Sequence, residues 1–85
     1  MYSKGQVVYS KSGRDKRRPF IIVDFDGQYV YLVDGDLRKL EKPKKKKIMH
    51  VQIVNDIIED IKIKLERKLY LNDADFRKAL KTYKL

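Results

Sequence analysis

The spacing of apolar positions changes once along the chain. Up to residue 54 they fall in short runs broken by turn residues, and from Asp56 onward they recur about every fourth position. The first regime predicts strands and the second predicts helices. Gln6-Val7-Val8-Tyr9-Ser10 is a β-branched run that stops at Lys11-Ser12-Gly13-Arg14-Asp15-Lys16-Arg17-Arg18, where turn formers and charges take over. Pro19 opens a second strand, Phe20-Ile21-Ile22-Val23-Asp24-Phe25, since proline is tolerated at the first residue of a strand. Asp26-Gly27 predicts a type I′ turn centred on those two residues and makes 28–33 the antiparallel partner. After the turn Asp34-Gly35-Asp36, the spacing of Leu37 and Leu40 suggests a bent or very short strand over 37–41. Residues 42–47 hold five lysines and a proline, and are expected to form an extended solvated loop. Residues 48–54 alternate and read as the closing strand.

Beyond this point Ile57, Ile61, Leu65 and Leu69 share a stripe, which predicts a helix over about 56–68 with Asp56 and Glu59 at capping-box spacing. Asn72 and Asp75 repeat that spacing before Phe76, Ala79, Leu80 and Tyr83, which fall on one face of a second helix. The chain therefore divides into a β part, 1–54, and a helical hairpin, 55–85, packed on it. The apolar stripes of the hairpin need cover, so the helices are expected to stabilise the β part.

Charge sharpens this division. The 85 residues carry 21 Lys and Arg against 12 Asp and Glu, a net charge of +9. Residues 1–50 account for +7 of it and 51–85 for +2. A potential of that sign on so small a body favours polyanionic partners. The absence of cysteine removes disulfides, thiolate metal sites and cysteine nucleophiles and fits a reducing cytoplasm. No apolar run approaches the roughly 20 residues that span a bilayer, and the N-terminus has no signal-peptide core. A cytoplasmic monomer with no membrane partner is the expectation.

Gly5-Gln6-Val7-Val8, the stretch from Ser10 to Lys16 with Gly13 at the motif glycine, the apolar run through Val23, and Val33-Asp34-Gly35 together resemble a KOW motif. More narrowly, the chain is similar to the KOW domain-containing RNA-binding proteins that resemble ribosomal protein L-fourteen-e. The motif covers residues 6–32, and the flanking likeness extends it to 2–54. The resemblance implies a mainly β protein, a small SH3-like barrel followed here by the two short α-helices. It also implies RNA binding through loops, a place at the ribosome or the translation machinery, and ribosomal RNA as the RNA. Ribosomal, transcription or translation proteins are further possible partners. The pattern has a second glycine where this chain has Arg17, so a positive φ at Arg17 would be strained.

The candidate RNA-binding residues are Ser10, Lys11, Gly13, Arg14, Lys16, Arg17 and Arg18 in the first loop, then Arg38 and Lys39, then Lys44, Lys45, Lys46 and Lys47. Cations fanning from a loop between two strands can meet successive phosphates. Tyr2, Tyr9, Phe25, Tyr29 and Tyr31 interleave with them and suit either base stacking or cross-strand packing. Asp24, Asp26, Asp34 and Asp36 read as turn formers rather than metal ligands, and His50 has no evident partner. With no nucleophile–base pair and no phosphate-cradling glycine loop, no enzyme and no cofactor are expected. The rival reading is a protein-interaction module that docks a transcription or translation factor through the barrel or the helix faces.

Overall fold

The computed structural model describes residues 2–83. Five strands form one antiparallel sheet: β1 (Gln6–Ser10), β2 (Pro19–Asp26), β3 (Tyr29–Val33), β4 (Lys44–Lys47) and β5 (Val51–Ile57). Their order is β4-β3-β2-β1-β5. A single 3-10 turn, Ile48–His50, joins β4 to β5. Two helices follow, α1 (Glu59–Glu66) and α2 (Asp73–Ala79). β1 to β4 form an antiparallel meander and β5 closes beside β1, an SH3-like order with a helical tail.

Alternation along the strands builds two apolar layers. Val8, Phe20, Ile22, Val30, Leu32 and Val51 fill one side of the sheet. Val7, Ile21 and Val33 face the other way and are closed over by Ile61 of α1 and by Phe76 and Leu80 at α2. Val23 also packs into this second layer, helped by the register shift between Ile22 and Asp24 on β2. The tail therefore covers a sheet face that would otherwise lie open, and Leu65, Ala79 and Tyr83 border the same layer.

Polar contacts fix α2 in place. Asn72 accepts from the Asp75 N–H at 3.0 Å and Asp75 accepts from the Asn72 N–H at 2.9 Å, so the capping box read from the sequence is formed. Asp73 accepts from the Leu40 N–H at 2.8 Å, and Arg77 donates to the Gly35 carbonyl at 2.7 Å. Gly35 has φ +79°, and a Cβ there would collide with the Asp73 carbonyl oxygen. The helix backbone approaches as closely as it does because the side chain at 35 is a hydrogen atom.

Several expectations are corrected. The residues of the two-residue hairpin loop are Gly27 and Gln28, with Asp26 paired to Tyr29, and Gly27 at φ +59° is the one positive-φ residue of the turn. Residues 37–41 form no strand, because the Asp34 carboxylate takes the N–H groups of Asp36 and Arg38 and folds the segment into a turn. The lysine run is not a solvated loop: Lys44, Lys45, Lys46 and Lys47 pair as β4 with Leu32, Tyr31, Val30 and Tyr29. As an edge strand, β4 can send its charges to water while its backbone bonds to β3. The closing strand starts three residues later than expected and carries the sheet to Ile57. Asp56 thus lies in β5, not at a helix cap, and α1 begins after Ile58 with no side-chain cap. Asp56 instead accepts a 2.8 Å hydrogen bond from the Tyr83 hydroxyl, which raises the phenol above its ordinary pKa. Ile57 and Leu69 drop out of the helical stripe: the first is in a strand, and the second follows the left-handed Lys68 (φ 57°) that ends α1.

Candidate nucleic-acid interface

The β1–β2 loop, residues 11–18, carries the densest run of arginine. Two features of the sequence make it a platform rather than a flexible tip. Asp15 is buried and meets Arg38 of the β3–β4 loop through Nε at 3.2 Å and a terminal nitrogen at 2.9 Å. Arg18 reaches Asp34 at 3.4 Å and Asp36 at 3.7 Å. The two ion pairs run in opposite senses between the same two loops, so neither loop can swing without breaking both. Each is partly shielded from water, where a charge-assisted bond is stronger than at an open surface.

Lys46 adds a third tie. Its ammonium donates to the Ser10 hydroxyl and to the Ser12 carbonyl, each at 2.8 Å. Burial lowers the Lys46 pKa, and the nearby Asp15 charge acts in the opposite direction. The Ser12 hydroxyl lies 3.2 Å from His50 Nδ1, and the Lys11 N–H donates to the His50 carbonyl at 2.8 Å. His50 thus has a partner that its sequence position did not reveal.

These contacts sort the candidate residues. Ser10 is buried and its hydroxyl is engaged by Lys46, so it supports the loop and does not present itself to a ligand. Arg18, Arg38 and Lys46 are likewise tied into the scaffold. Lys11, Arg14, Lys16 and Arg17 are exposed, and no ion pair involves them among the described residues. Lys39, Lys45 and Lys47 are exposed on the β3–β4 side, and Lys44 is half-buried. What the sequence did not show is the role of Asp15 and Asp34 as organisers. The available signal was Asp15 set among the cations of the first loop, and Asp34 in a turn where it was read only as a turn former.

The loop backbone has two left-handed residues, Gly13 at φ 78° and Arg17 at φ 72°. The second is the strain anticipated for an arginine in place of a glycine. It persists because the Arg17 N–H donates to the Ser10 carbonyl at 2.7 Å and the neighbouring Arg18 N–H to the Asp15 carbonyl at 2.9 Å. Arg17→Gly is expected to raise stability by about 0.5–1 kcal/mol, the relief of left-handed strain less the chain entropy of glycine. A thermal melt checks this.

The aromatic residues are arranged as cross-strand partners. Register places Tyr31 between Asp24 and Lys45, and Tyr29 between Asp26 and Lys47. The Lys45 ammonium sits 4.4 Å from the Tyr29 ring centroid, and Tyr2 packs edge-on against Phe25 at 5.2 Å. The Tyr29 face covered by Lys45 is closed to a base. Among the described residues no three His, Cys, Asp or Glu side chains gather as a metal-binding group, and no helix is long and apolar enough to cross a membrane. No protein-family model matches this sequence, and no curated protein matches it.

Proposed function

We propose that the protein binds structured RNA by its phosphates, with Lys11, Arg14, Lys16 and Arg17 as the main contacts and Lys39, Lys44, Lys45 and Lys47 in support. The observation that carries this reading is the opposed pair of ion bridges, Asp15 with Arg38 and Arg18 with Asp34. They use acids to immobilise the loop and leave four neighbouring cations pointing at no acid among the described residues. A rigid array of that kind loses little entropy when it meets a polyanion. The KOW resemblance of residues 2–54 supports the same reading and makes ribosomal RNA, at the ribosome in the cytoplasm, the natural RNA. The protein acts as a binding module, not as an enzyme.

The rival, docking of a translation or transcription factor, loses one of its two surfaces, because the helix faces around Ile61, Phe76 and Leu80 are buried on the sheet. Salt separates the two readings. Four phosphate contacts give a slope of log affinity against log salt of roughly −3 to −4. A titration of structured RNA at several salt concentrations should show this slope, and an affinity indifferent to salt would overturn the proposal.

A further inference from the structure

Leu37 is 56% exposed on the β3–β4 loop, which leads into the lysine strand β4. The loop cannot turn it inward. The N–H groups on both sides of it, at Asp36 and Arg38, are held by Asp34, and the Arg38 side chain is held by Asp15. Further along, the Leu40 N–H is held by Asp73, and the Lys42 N–H donates to the Lys39 carbonyl at 2.9 Å. The leucine is thus fixed at the rim of a cleft between the β3–β4 loop and β4.

Leu37 and Pro43 supply the apolar part of the cleft, and Lys39, Lys42, Lys44 and Lys45 surround them. Its volume is about 430 Å³. That falls within the roughly 300–1,000 Å³ of small-ligand sites. No ion pair involves these four lysines among the described residues, and Glu41 is the one carboxylate on the wall. An aliphatic ledge inside a ring of ammonium groups matches a ligand with an apolar face and a phosphate.

We infer that this cleft takes a single unpaired nucleotide of the bound RNA, its base against Leu37 and Pro43 and its phosphate among Lys39, Lys42 and Lys44. The inference rests on the RNA-binding reading and adds a preference to it. A continuous duplex offers the lysines its phosphates but no base for the ledge, because its bases are stacked and paired. A bulge or loop supplies both. The Asp15–Arg38 bridge holds the cleft and the β1–β2 loop in fixed relation, so one RNA can engage them together.

The test compares an RNA hairpin carrying one bulged 2-aminopurine with the same hairpin fully paired, by fluorescence anisotropy and by 2-aminopurine emission. The full-length protein should prefer the bulged hairpin by about tenfold, the effect expected from partly burying one leucine-sized surface. Leu37→Ser should abolish the preference and the emission change while leaving affinity for the paired hairpin intact. Arg14→Ala with Lys16→Ala should weaken both hairpins and leave the preference in place. Equal binding of the two hairpins by the wild type, or a preference that survives Leu37→Ser, overturns the nucleotide site and leaves RNA binding standing. If neither hairpin binds, the RNA reading itself falls, and the site with it. An acidic leucine-containing peptide that binds the wild type and not Leu37→Ser, with no bulge preference, would assign the cleft to a protein and overturn the nucleotide.

Discussion

Replacing Arg14 and Lys16 together with alanine should lower RNA affinity by roughly 25- to 60-fold near 0.1 M salt. Each lost phosphate contact removes about 0.7–0.9 from the magnitude of the salt slope, which at that salt is roughly 5- to 8-fold in affinity. The loss should be similar across RNA sequences, because phosphates carry no sequence. Folding should change little: both side chains are exposed, and neither joins an ion pair among the described residues. Lys44 and Lys45 make a comparison pair, Lys44 half-buried and Lys45 already against the Tyr29 ring, and their loss should cost less. A double variant at 14 and 16 with wild-type affinity and slope would remove the loop from the site.

The largest effect on stability is expected at Gly35. An alanine there meets the Asp73 carbonyl oxygen and must also adopt φ near +79°. Strain of the second kind costs about 1–2 kcal/mol, and forcing a methyl group into a closed contact adds about 1–3 kcal/mol. Gly35→Ala should therefore lower the melting temperature by at least about 10 °C. Gly27→Ala is the control, since Gly27 also has positive φ but nothing lies within 4 Å of its missing Cβ. It carries the backbone strain alone. If the two variants melted together, α2 would not be seated against Gly35 as described. The glycine is thus better explained by helix docking than by the turn signal Asp34-Gly35-Asp36 by which it was first read.

What could be read from the chain was whatever alternation, turn chemistry or capping encodes locally. β1, β2 and β3 announce themselves through β-branched runs bounded by charged turns, and Asn72 with Asp75 marks the start of α2. The tail's role as a cover followed from apolar stripes with nothing else to bury them. β4 was missed for a physical reason: four identical residues have no contrast between faces, so a strand and a loop look the same. The site was only partly legible for a different reason. Counting cations could not separate Arg14 from Arg18, because the acid that holds Arg18 is Asp34, 16 residues away. Lys46 finds Ser10 across 36 residues, and nothing local distinguishes it from Lys45. Composition located the basic surface, and only long-range pairing showed which of its charges remain available.

The lysine edge strand also has a consequence for two copies of this protein brought together. β4 bonds to β3 on one side and has no strand on the other among the described residues, so its outer backbone could template another sheet. Two such edges brought together would oppose ammonium to ammonium along their length, and near 0.1 M salt that repulsion acts over roughly 10 Å. Near 1 M salt its reach falls to about 3 Å, shorter than the roughly 4.8 Å that separates paired strands. The ionic conditions that would best strip the RNA proposed for these loops are therefore those in which this edge is least guarded against self-association.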